Sequence, residues 1–299
     1  MFGLSPKAPV APRDYTACSG CSLCFLVCPM WRSSRDPRFT PEGLAKALQC
    51  GATASQLAEV IDACSLCGAC DPVCPEGIDL TGMIMDLRRE TGDRPGLSPI
   101  SREPQPAGAL LLPGVDLRAN PELLARVGAL LGFASAGDDG ADIALALEVG
   151  GDIPSARRRR FLDSLDGRTL VVGDGLLLAA LRRWLPAARL QSVGEALSNL
   201  TALRRRLASA DFYVIEPRAY HADHERLVTH YDRLRAETGC AMNLDLQRIA
   251  IPATDEAEVS WMLRGRKPAR IVVENPADRA AFENVRDVPV LHIAELAEA

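Results

Sequence analysis

CSGCSLCFLVCPM, residues 18–30, sets four cysteines within eleven positions and follows the last with a proline. The pattern is C-x2-C-x2-C-x3-C-P. It recurs as CSLCGACDPVCPE from Cys64, with every cysteine displaced by 46 residues and Pro75 in the place of Pro29. Eight of the ten cysteines lie in these two runs. Spacings of two let three thiols from one short loop wrap a compact iron-sulfide cube. The fourth is turned aside by a proline that cannot continue a helix.

In two-cluster proteins with this spacing the fourth cysteine serves the other cluster. The spacing therefore predicts that Cys18, Cys21, Cys24 and Cys74 hold one 4Fe-4S cluster, and Cys64, Cys67, Cys70 and Cys28 a second. Neither should assemble without both halves. Structural zinc needs two ligand pairs closing a tetrahedron and has no use for a third C-x2 step followed by C-P. Disulfide scaffolds are short secreted chains, and MFGLSPKAPVAPRDY offers no apolar segment or small-residue cleavage site, so a reducing cytoplasm is expected. Cys50 and Cys240, outside the pattern, read as small buried apolar residues.

A hydrophobic content of 47% with 24% charged residues fits a soluble globular chain, and 299 residues allow two domains. Apolar runs such as 109–112 and 176–181 fall well short of the ~18 residues a membrane-spanning helix needs. Any membrane association would then run through a partner. The net charge of -5 argues against nucleic acid. The arginine runs 157–160 and 204–206 read as solvated helix faces.

Between the motifs, Thr40, Pro41 and Glu42 suit a helix start ahead of Leu44 to Leu48, and Thr53 with Gln56 reads as a capping box. Leu80 to Glu90 reads as helix too. Two such motifs separated by helical sequence resemble the α-helical ferredoxin module of heterodisulfide reductase and of glycolate oxidase-type iron-sulfur subunits, over about residues 15–92. The resemblance implies an electron relay, with the eight cysteines as ligands.

Thr91 to Gly108, with four prolines, reads as a linker. The expected division is 1–104 for a di-cluster ferredoxin domain with its linker and 105–299 for an α/β domain with a largely parallel sheet. Short runs at 109–112, 143–147, 169–172, 212–215, 270–273 and 288–293 read as its strands, separated by amphipathic stretches. Gly173 and Gly175 after a strand, with Glu195 about 20 residues on, have the outline of a dinucleotide fingerprint. Leu178 occupies the place of the third glycine, so an ordinary strand-to-helix turn accounts for them.

The layout of this second region is similar to the cysteine-rich CCG domains of heterodisulfide reductase and of glycolate oxidase-type proteins, whose thiols hold catalytic iron-sulfur sites. Here PGV ends at Val115, EPRAYH offers Arg218 and Ala219, NLDLQR begins at Asn243, and ENPADR offers Asn275 and Asp278. Cys240 alone remains. The resemblance implies a domain that keeps its shape, lacks the thiol chemistry and serves docking. His221 and His224, three apart, are expected on one helix face, as partner packing or a satisfied surface network, or else as a metal or proton-transfer site.

The function expected is an electron-transfer subunit of a cytoplasmic oxidoreductase complex, with two 4Fe-4S clusters between a flavin, molybdenum or nickel-iron partner and a second acceptor. No catalytic residue is assigned to this chain. The other readings are a stand-alone disulfide or quinone reductase and an iron-sulfur redox sensor.

Overall fold

Between the two cysteine runs the chain coils as its capping signals direct. In the computed structural model, which describes residues 13–91, 105–246 and 248–297, Thr40 Oγ1 accepts from the Gly43 amide at 3.0 Å, opening the helix Pro41–Gln49. The capping box at Thr53 closes a 3₁₀ turn, Ala54–Leu57, ahead of the helix Ala58–Ala63. Asp79 caps the helix Leu80–Glu90. Their apolar faces meet in one core that includes Leu44, Leu48, Ile61, Ile84 and Leu87, together with Cys24. Burying each of these leucines and isoleucines contributes about 1.5–3 kcal/mol. Most of the stretch read as a linker, 92–104, lies outside the described residues.

The period changes after residue 108. Strands β1 (Leu110–Leu112), β2 (Ala134–Ser135), β3 (Thr169–Val172) and β4 (Arg189–Ser192) form one sheet in the order β2-β1-β3-β4. Strands β5 (Asp211–Val214), β6 (Ala241–Met242), β9 (Arg270–Val273) and β10 (Val290–His292) form another in the order β10-β9-β5-β6. All their pairings are parallel. The short strands β7 (Leu244–Asp245) and β8 (Ile249–Ala250) pair antiparallel. The fold is thus a helical region followed by an α/β region.

Counted within its own half, each four-stranded sheet runs second-first-third-fourth, so one topology is used twice. Parallel strands covered on both faces are apolar on both faces. Leu111, Val171, Tyr213 and Val272 turn to a core shared by the two sheets. Their neighbours Leu110, Leu112, Leu170 and Val172 fill a second core, and Phe212, Val214, Ile271 and Val273 a third.

Two expectations fail. The run 143–147 is helical, inside Ala141–Val149. Glycines 140 and 150, each at φ +72°, bracket it in left-handed conformation, and its alanines favour helix over strand. Arg157 is buried rather than solvated, held by Asp138 at 2.7 Å and Asp142 at 2.8 Å. Only Arg158, Arg159 and Arg160 of that run face solvent.

Candidate metal centres

Each cysteine run makes the same turn. Gly20 and Ser22 flank Cys21 at φ +82° and +61°, and Leu66 and Gly68 flank Cys67 at +53° and +75°. A leucine in left-handed conformation is strained. Leu66 is held there by full burial in the helical core. Such turns point backbone amides at the thiols: the Leu66 N–H donates to Cys64 Sγ at 3.5 Å.

The fold gathers the eight thiols into two sets that cross the repeats. Cys28 lines one cavity with Cys64, Cys67 and Cys70. Cys74 lines another with Cys18, Cys21 and Cys24. Among the described residues no three His, Cys, Asp or Glu side chains converge as a single metal ion would require. The donors surround a space instead of a point.

Burial keeps several of these thiols protonated when nothing binds them. It pushes Cys24 and Cys28 up to about 12 and Cys67 up to about 11, and it raises Cys64 and Cys70 as well. Neighbouring thiols add to the rise along the same grouping: Cys18 and Cys21 act on Cys24, and Cys67 and Cys64 act on Cys28. Backbone groups of Met30 and Trp31 at Cys28, and of Ala69 at Cys67, pull the other way. A bound metal deprotonates its thiol ligands outright. Soft donors in fours, with amides turned toward sulfur, fit an iron-sulfur cluster.

The second set is pressed against the α/β region. His221 Nδ1 lies 2.7 Å from the Cys67 carbonyl, and Arg218 donates to the Ser65 carbonyl at 3.2 and 2.9 Å. A β-carbon on Gly68 would lie 2.8 Å from His221 Cβ, so glycine is required there for closeness as well as for φ. Arg88, buried, donates to the carbonyls of Cys64, Asp62, Ile61 and Glu148. Arg32, on the helix Pro29–Ser34 that follows Cys28, meets Asp245 at 2.6 Å and Glu258 at 3.0 Å and lies 4.1 Å from the Trp261 ring.

Other candidates resolve differently. Cys240 is buried as expected, but Cys50 is exposed, at the turn closing Pro41–Gln49. His221 ends one helix, Pro217–His221, and His224 opens the next, His224–Thr238, so they do not share a helix face. Their rings lie 5.9 Å apart, and among the described residues the buried Nε2 of each has no hydrogen-bond partner, so the pair is not a satisfied surface network. Gly173 and Gly175 serve packing: β-carbons there would strike the Pro113 carbonyl and Arg218. Glu195 is buried and paired with Arg226.

Residues 14–78 match the model of a family described as a 4Fe-4S dicluster domain. No curated protein and no solved structure matches the chain. The match supports a ferredoxin-like iron-sulfur protein with 4Fe-4S clusters and an electron-transfer role. Among the described residues no helix is long and apolar enough to cross a membrane.

Proposed function

We propose that this chain is an electron-transfer subunit of a cytoplasmic oxidoreductase complex, carrying two 4Fe-4S clusters with crossed ligation. Cys18, Cys21, Cys24 and Cys74 hold the first, and Cys64, Cys67, Cys70 and Cys28 the second. The observation that carries the reading is the gathering of the fourth cysteine of each run with the first three of the other. Bound there, a 4Fe-4S cluster supplies a one-electron donor and acceptor at a potential set by charge, hydrogen bonds and exposure.

The chain's own residues set that surrounding. Leu66, Val60, Ile84 and Leu44 keep water from the second thiol set, while amides of the left-handed turns face sulfur. The first set is more open, since Cys21 is exposed. That difference suits an entry or exit point at the first set. The partner supplying electrons is a flavoprotein, molybdoenzyme or hydrogenase, and the thiol-poor α/β region serves docking within the complex.

Anaerobic purification with native partners tests this. A co-purifying subunit that carries the substrate site, with an isolated chain that accepts electrons but turns nothing over, is the expected result. Full turnover by the isolated chain overturns it.

A further inference from the structure

A groove of about 420 Å³ opens between the first cysteine run and the α/β region. One wall comes from residues 25–35, on the helices Leu23–Val27 and Pro29–Ser34, and the other from residues 255–264, on the helix Glu256–Met262. Its apolar lining is not withdrawn from water. Leu26 is 55% exposed, and Trp261 and Leu23, three residues before Leu26, are exposed as well. Single exposed leucines need no explanation, but these side chains adjoin one another. Arg32 donates to the Leu26 carbonyl at 3.2 Å while its guanidinium lies 4.1 Å from the Trp261 ring, and the rings of Phe25 and Trp31 are 5.3 Å apart.

The charges of the groove do not cancel. Its two carboxylates are engaged within the protein: Glu258 pairs with Arg32 at 3.0 Å, and Asp255 accepts from the Glu258 amide at 2.7 Å. Arg35 and Arg264 also line the groove and are exposed, and among the described residues neither guanidinium has a hydrogen bond or ion pair. Arg35 lies 5.9 Å from the Trp31 ring. Arg264 begins the exposed run RGRK, residues 264–267. In a chain of net charge -5 this is a local excess of positive charge beside an apolar patch. Tryptophan and arginine are the side chains that carry most binding energy at protein interfaces.

We propose that this groove docks an acidic electron-carrier protein that presents an apolar residue ringed by carboxylates. The apolar residue enters beside Trp31, Leu26 and Trp261, and the carboxylates meet Arg35 and Arg264. Electron-transfer encounters are small and transient, so a groove of this size suffices. Leu26 lies between Cys24, of the first thiol set, and Cys28, of the second, so a docked carrier stands over the segment that joins both. A lipid surface fits less well, because it takes protruding apolar side chains and these line a hollow. The carrier's redox identity rests on the electron-transfer reading above; the binding itself does not.

The test is calorimetric titration of the full-length protein, prepared anaerobically, with oxidised flavodoxin, an acidic carrier. Cytochrome c, a basic carrier, free flavin mononucleotide and phosphatidylglycerol vesicles are the comparison ligands, and sedimentation of the chain alone reports self-association. The expected result is one-to-one binding of flavodoxin, weakened about tenfold or more as salt rises from about 50 to about 300 mM. Arg35→Glu and Arg264→Glu, at exposed positions, should each weaken it about tenfold or more with melting temperature and iron content unchanged. Flavodoxin hydroquinone, which gives up one electron and becomes the semiquinone, should reduce both variants about tenfold more slowly than the wild type, whereas dithionite should reduce all three alike. If dithionite reduces nothing, the electron-transfer reading falls and the carrier's redox identity with it. With dithionite reduction intact, three results overturn the docking alone: no flavodoxin binding at about 100 μM in low salt, unchanged flavodoxin affinity in both variants, or tighter binding of cytochrome c, flavin mononucleotide, vesicles or a second copy of this chain that is lost in the same variants.

Discussion

Replacing Arg32 by Met probes how the residues after Cys28 are fixed to the α/β region. The methionine keeps the apolar stem against Trp261 but removes the cation from Glu258, whose side chain is 5% exposed, and from Asp245, which is 26% exposed. Orphaning one member of a buried pair costs about 3–5 kcal/mol, whereas the half-exposed partner contributes only ~0–1. Lost stacking of the guanidinium on Trp261 adds about 0.5–1 kcal/mol. The expected loss is therefore about 4 kcal/mol at pH 7, read by urea unfolding under anaerobic conditions. Burial already raises Glu258, and Arg32 opposes that rise. Without Arg32 its carboxyl moves higher still. The penalty belongs to the charged form, so it should shrink as pH falls through the raised value. Adding Glu258→Gln should restore most of the loss. A single variant costing less than about 1 kcal/mol, or a double variant no more stable than the single, refutes the orphaned-charge reasoning.

Three further outcomes follow from the same contacts. Cys74→Ser should empty the centre formed with Cys18, Cys21 and Cys24 while sparing the other, halving iron per chain and removing one of two electron paramagnetic resonance signals; loss confined to the other centre contradicts the crossing. Gly68→Ala, forced against His221 at a left-handed position, should cost roughly 1–3 kcal/mol and lower iron at the second centre, and full stability in that variant would count against the close approach. His292, fully buried and lowered to about 3 by burial, is neutral in the fold and protonated below about 6.5 when unfolded. The wild type should therefore lose about 1.4 kcal/mol per pH unit below 6.5 relative to His292→Asn, measured by unfolding from pH 6.5 to 5. Parallel stability curves for the two proteins would remove His292 from the acid limb.

The cysteine spacing carried the local story because three thiols of each set lie within seven residues, where sequence distance and spatial distance coincide. Caps at Thr40 and Thr53 were legible for the same reason, whereas the cap at Asp79 emerged only in the fold. Longer-range facts were not. The run 143–147 has no period that separates strand from helix, and the deciding feature is a left-handed glycine at either end. Arg157 looked like part of a solvated charge run until Asp138 and Asp142 closed over it. Leu66 gave no sign of positive φ, because the corresponding position of the first run is a glycine. The doubled sheet topology leaves no repeated motif in the sequence, so a cavity at the strand ends, assembled from loops far apart along the chain, could only be seen folded.

Iron and acid-labile sulfide counted on anaerobically prepared protein, together with X-ray absorption at the iron and zinc edges, bear most directly on two cubane centres shared between the runs. About eight irons and eight sulfides per chain, with iron in sulfur coordination, is the predicted result. About four irons or fewer, or zinc in a tetrahedral thiolate site, would contradict it.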